Sequence, residues 1–259
     1  MTRPRLAPVA VFARMQVLLL LRSPNLLATL AVIPLYSLVF FAVLARHHQG
    51  DLATSVALTA FLMSLWSHAV FVAAEIVDDD RWQGTLELSL LTPARYLAAL
   101  TVRVGTTTAL ALPVLAEVLL IGRGLFGFPI HLADPGLCLL VVLLVVAGVA
   151  ATAMLASGVM ILVRGARALQ NALTYPFYLL AGLIVPVSTL PGPARALARL
   201  FFLSWGAQLL RDTAAGPVSH LVPRLTALVA LVVLQGVLGV TVLRKVLSAV
   251  RHGGVVLHG

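Results

Sequence analysis

The sequence predicts an all-α polytopic membrane protein with six transmembrane helices, and three observations lead there. Of 259 residues, 61% are hydrophobic and only 10% are charged, whereas soluble domains carry roughly 25% charged residues. Mean hydropathy is +1.05. The apolar residues also fall into runs of membrane length, since a hydrocarbon core about 30 Å thick takes about 20 helical residues. A water-soluble globule is thereby excluded. The formal net charge of +9 does not point to nucleic acid, because the arginines are scattered through the segments between apolar runs instead of forming one basic stripe.

The first element spans residues 1–22. Arg3, Arg5, Arg14 and Arg22 alternate there with Leu6, Val9, Phe12, Met15 and Leu18 at a spacing of three, which predicts a basic amphipathic helix lying at the membrane interface. The apolar run Val17 to Leu21 is too short for a signal sequence and ends at Arg22-Ser23-Pro24, so the next run reads as an uncleaved first span. The spans are expected at Leu26 to Ala45, Leu52 to Val77, Tyr96 to Ile121, Leu137 to Val163, Leu169 to Val187 and Val222 to Leu243. Between the last two, Pro191-Gly192-Pro193 and Gly216-Pro217 bracket a mixed segment, read as one or two short external helices over 191–216. The single cysteine, Cys138, lies in an apolar run and supports neither a disulfide nor a metal cluster. With no soluble domain or internal repeat, residues 1–259 read as one transmembrane domain.

Orientation follows from the basic residues. With the N-terminus inside, Arg81, Arg95, Arg103, Arg164, Arg167, Arg244, Lys245 and Arg251 join the N-terminal arginines on the cytoplasmic side. Arg46, Arg123, Arg195, Arg199, Arg211 and Arg224 fall outside. Both termini are expected in the cytoplasm.

The most informative stretch lies between the second and third spans: Asp78-Asp79-Asp80-Arg81-Trp82-Gln83-Gly84-Thr85-Leu86-Glu87-Leu88-Ser89-Leu90-Leu91-Thr92-Pro93-Ala94-Arg95. Three aspartates favour a helix N-terminus through the macrodipole, and Asp80 with Gln83 has capping-box spacing. Trp82, Leu86 and Leu90 recur every four residues, and Pro93 stops the helix. A short amphipathic helix over 78–94 is expected beneath the membrane. It reads either as an ordinary capped helix resting on lipid or as a docking element.

Asp80-Arg81, then Gly84-Thr85-Leu86-Glu87, then Leu90-Leu91-Thr92-Pro93 resembles the cytoplasmic coupling-helix motif of type-2 ABC exporter permeases. Ser89 stands where that pattern is usually apolar. The resemblance extends to the basic N-terminal helix, the six spans and the segment Gly182 to Arg211, which is similar to the family's fifth span and re-entrant element. It implies a permease of the bacterial plasma (inner) membrane that exports a hydrophobic or amphipathic substrate, and a coupling role for Asp80, Arg81, Trp82, Gly84, Thr85, Leu86, Glu87, Leu90, Leu91, Thr92 and Pro93. It further implies two ABC ATPase subunits that hold ATP and Mg, and a second permease chain, with spans one, two and five forming the dimer interface and central path. The chain is not expected to hydrolyse ATP itself. A phosphate-cradling loop needs a Gly-Lys pair, and the lone lysine, Lys245, follows Arg244.

Glu117 sits among Leu115, Ala116, Val118 and Leu119. A charge within a span costs roughly 2.5–3.5 kcal/mol at the helix centre, so it either reaches toward Arg123 and external water or handles substrate or protons. Glu75 has Arg81 or Arg103 as expected partners. Phe61, Trp66, Tyr175 and Tyr178 line a translocation path or pack between helices. The histidines are scattered and no His-Glu-x-x-His or paired-cysteine motif occurs, which argues against a metal. The alternatives are a secondary transporter or channel, for which paired broken helices in two related halves would be expected, and a membrane-embedded enzyme, which needs converging catalytic groups.

Overall fold

The computed structural model describes residues 7–22, 35, 37–85, 93–162 and 174–251, and every regular element among them is helical. In chain order these are α1 (Ala7–Arg22), α2 (Ser37–Arg46), α3 (Ala53–Trp82), α4 (Pro93–Ala109), α5 (Pro113–Leu120), α6 (Pro135–Leu162), α7 (174–180), α8 (Gly192–Arg199), α9 (Phe202–Ala215) and α10 (Leu221–Arg251). Four stretches are long and apolar enough to cross a membrane: Gly50–Ala69, Tyr96–Leu125, Pro135–Ile161 and Leu221–Ala249. They coincide with the expected second, third, fourth and sixth spans. Half of the expected first span, and residues 169–173 of the expected fifth, lie outside the described residues; α2 belongs to the first, and α7 to the fifth, where the helix ends at residue 180 and the chain turns ahead of Pro186.

The third span departs from a single helix. Pro113 has no N–H to donate and its ring crowds the preceding turn, so the chain between α4 and α5 tightens to i→i−3 bonds, Ala111 N to Thr108 O at 3.2 Å and Leu112 N to Ala109 O at 3.0 Å. After α5 the span widens into a π-helical turn at Ile121–Leu125.

α6 is the central post. It begins with Asp134 as N-cap, whose Oδ1 accepts the Leu137 amide at 2.9 Å, and with Pro135 in the first turn, where no N–H is needed. Val141, Val145, Val149 and Ala153 form a fully buried stripe, and the helix packs against α3, α9 and α10. Leu139, Leu140 and Leu143 remain exposed on the other side, as suits a helix bordered by lipid. α9 packs into the bundle instead of resting on its surface: Phe202, Leu203, Ala207, Leu209 and Leu210 are buried. Gly206 makes this approach possible, since a Cβ there would lie 2.3 Å from Val145 Cγ2. Polar ties join the helices, with Gln235 Nε2 donating to Thr152 Oγ1 at 3.3 Å and Cys138 Sγ lying 3.1 Å from Thr213 Oγ1.

α1 differs from a helix that hides its apolar side. Gln16 and Leu20 face the bundle, while Val11, Met15, Leu18, Leu19 and Leu21 are exposed. α1 rests on α4, with a Gln16–Thr107 hydrogen bond between them.

Candidate functional site

α3 carries the candidate site at its C-terminal end. Its 30 residues make a helix about 45 Å long, more than a hydrocarbon core of about 30 Å needs, and its stretch apolar enough to cross a membrane ends at Ala69, before the acidic end. Asp78, Asp79 and Asp80 therefore do not start a new helix as the macrodipole predicts; they belong to the last turns of α3, which continues to Trp82. The helix stops where Gly84 enters the left-handed region at φ 65°, a conformation that glycine adopts without Cβ strain. The Gly84 amide bonds Arg81 O at 3.0 Å, and Thr85 Oγ1 donates to the Asp80 carbonyl at 3.1 Å.

Acids at a helix C-terminus are disfavoured by the dipole, and the compensation comes from other helices. Asp80 is buried, with 8% of its surface exposed. Nη1 of Arg103, on α4, donates to both of its oxygens, at 2.9 and 2.8 Å. Nε of the same guanidinium donates to Gln16 Oε1 on α1 at 2.9 Å, and Gln16 Nε2 donates to Thr107 Oγ1 at 3.2 Å. Arg103 is thus engaged by Asp80, a pairing the sequence reading did not anticipate, and the Glu75 side chain, its expected partner, lies outside the description. Tyr96 is buried at the foot of α4, near enough to Asp80, Arg81 and Arg103 to feel their charges.

Arg81 reaches a fourth helix. Its Nη2 donates to Met160 O and Ile161 O, both at 3.1 Å. These are carbonyls in the last turn of α6, where a cation offsets the negative end of the dipole. The consecutive residues Asp80 and Arg81 therefore tie α3 to α1, α4 and α6 at one level. Immediately beyond, Trp82 is 88% exposed, and Gln83, Gly84 and Thr85 are exposed as well.

Of the predicted coupling residues, Leu86, Glu87, Leu90, Leu91 and Thr92 lie outside the described residues, and Pro93 opens α4. The structure separates the remainder into ties, the buried Asp80 and the part-buried Arg81, and exposed residues, Trp82, Gly84 and Thr85. Sequence reasoning missed Gln16 and Thr107. The available signal was a lone amide in the apolar run Met15-Gln16-Val17.

The predicted path residues differ in exposure. Phe61 and Trp66 are fully buried on α3, with the Trp66 ring against Phe177 and Phe201 at 5.1 and 5.4 Å. The Tyr178 hydroxyl bonds Ser67 Oγ and donates to Met63 O at 3.0 Å. Tyr175 is exposed, edge-on to Tyr178 at 6.4 Å. Glu117 is half-buried on α5, and no ion pair joins it to Arg123 among the described residues. Nor does any group of three His, Cys, Asp or Glu among them stand ready to hold a metal.

Comparison with known proteins adds one match: the family model described as ABC-2 type transporter covers residues 9–214. No curated relative matches the chain.

Proposed function

The chain belongs to the ABC-2 type transporter family and is a multi-pass transport permease; on that premise we propose that its exposed turn and the segment that follows, through Pro93, receive the power stroke of a separate ABC ATPase. The observation that carries this reading is the position of the tie. The 30-residue helix ends in an exposed turn, and directly before it Asp80 and Arg81 bind α4 and α6, with Arg103 carrying the tie on to α1. Displacement of the segment below is passed at once to α1, α4 and α6, as coupling through a contiguous hydrogen-bonded network requires. ATP and Mg belong to the ATPase, two copies of which serve a pair of permeases.

The pair of permeases meets, in this reading, along the ends of the first and fifth spans. Leu35, Val39 and Val43 form an exposed stripe at a spacing of four, and Tyr175 and Leu179 are exposed on α7. An amphipathic substrate moves outward along that seam, with Tyr175 and Glu117 its polar contacts and the buried Phe61, Trp66 and Tyr178 shaping the wall behind. Both termini face the cytoplasm of a bacterial plasma membrane.

Co-expression with the ATPase tests the proposal. Leu86→Asp or Leu90→Asp puts an unpaired charge on the docking face and is expected to abolish co-purification and transport while membrane insertion persists. Undiminished association and transport in both variants would refute it.

A further inference from the structure

The opposite end of the bundle holds a second polar feature, one that the coupling reading does not use. Arg211 on α9 donates to Thr59 Oγ1 of α3 at 3.3 Å and to Gly182 O at 2.7 Å. Thr59 lies about 30 Å from Asp80 along the same helix, at 1.5 Å per residue. Beside Arg211 is a cavity of about 370 Å³ whose wall includes Arg195, Arg199, Ser204, Trp205 and Gln208. No carboxylate lines it. The nearest acid in sequence, Asp212, is held by Arg224 at 2.6 Å outside the lining.

Three guanidinium groups are therefore gathered with no carboxylate among the lining residues. Two of them are fixed by carbonyls: Arg211 as above, and Arg195 by Ser188 O at 2.7 Å and Leu190 O at 3.1 Å. The Arg199 guanidinium forms no hydrogen bond or ion pair among the described residues. Its backbone carbonyl accepts the Trp205 indole N–H at 2.8 Å, which pins the aromatic wall to the α8–α9 turn. Like charges collected on rigid supports repel, and an anion relieves that repulsion.

The shape of the set selects the anion. A guanidinium fork takes two oxygens of a carboxylate or a phosphate. A carboxylate has only two oxygens to divide among three arginines, whereas a phosphate group offers more. The cavity is within the size range of small-molecule sites, about 300–1,000 Å³, which leaves room beyond a bare oxyanion. Pro186, Val187 and Trp205 give it an apolar side. We propose that this cavity is a binding site for a phosphate group, that of an anionic lipid headgroup or free phosphate, with Arg195, Arg199 and Arg211 as its donors.

Binding needs no ATPase, so it is read separately from the coupling proposal. The full chain in a neutral maltoside detergent is titrated calorimetrically with dihexanoyl phosphatidylglycerol, dihexanoyl phosphatidylcholine and inorganic phosphate. Saturable binding of the phosphatidylglycerol is expected, at least tenfold tighter than that of the zwitterionic lipid, whose ammonium the arginines repel. Arg199→Gln should weaken it at least tenfold and Arg199→Lys less, because the charge remains and the fork is lost. Arg46→Gln, which removes an exposed arginine outside the cavity wall, should leave it unchanged. Displacement by equimolar inorganic phosphate identifies free phosphate as the ligand, and displacement only at large excess identifies the lipid headgroup. The proposal is overturned if neither phosphatidylglycerol nor phosphate binds saturably, or if binding survives both Arg199→Gln and Arg195→Gln.

Discussion

Arg103 and Asp80, on adjacent helices, face each other at 2.8 Å in a site where each residue is only 8% exposed. Removing one partner strands the other charge in a poorly solvated place, at a cost of about 3–5 kcal/mol. Arg103→Ala and Asp80→Asn are therefore expected to lower the unfolding midpoint sharply. The double replacement Asp80→Leu with Arg103→Met should recover much of the loss, because neither charge then needs desolvation. A double variant as unstable as the worse single one would show that the pair acts through something other than its charges.

Arg81 makes a prediction of a different kind. Its two bonds to the last carbonyls of α6 involve a charged donor, each worth about 1.5–3 kcal/mol. Arg81→Gln should loosen that end locally, so amide exchange should quicken in the last turn of α6 and in α3 near Asp80. The Arg211 end, about 30 Å away on the helix-rise estimate, should keep its protection. Equal acceleration at both ends would mean the bundle is not held in separate layers.

These ties also show where sequence alone stopped. Four spans were legible because an apolar run of about 20 residues has one common use in a membrane protein, and the α8 and α9 bounds followed from Pro191 and Gly216. The end of α3 was not. Reading Asp78 to Asp80 as a helix start weighs one turn against its own dipole, whereas the deciding partner, Arg103, comes from another helix. Gly84 was the local clue, as a glycine one residue past a helix cap. Gln16 could be picked out as a lone amide in an apolar run, but its two partners, Arg103 and Thr107, depend on how α1 lies on α4.

Glu117 has no ion pair to lose among the described residues. Glu117→Gln is expected to unfold at or slightly above the wild-type midpoint, since it removes a charge that is costly within an apolar helix. A fall of several degrees would reveal a stabilising partner and take Glu117 out of the substrate path.

Trp82 gives the most direct test of coupling, being 88% exposed directly below the Asp80–Arg81 tie. A photoreactive phenylalanine analogue is placed at position 82, and separately at the exposed apolar position 233 on α10, in membranes that contain the ATPase. Irradiation should cross-link position 82 to the ATPase, with a yield that changes when ATP is added, and should leave position 233 attached to no ATPase. Transport that persists while position 82 captures no ATPase in either nucleotide state would contradict the placement of the coupling site at the end of α3.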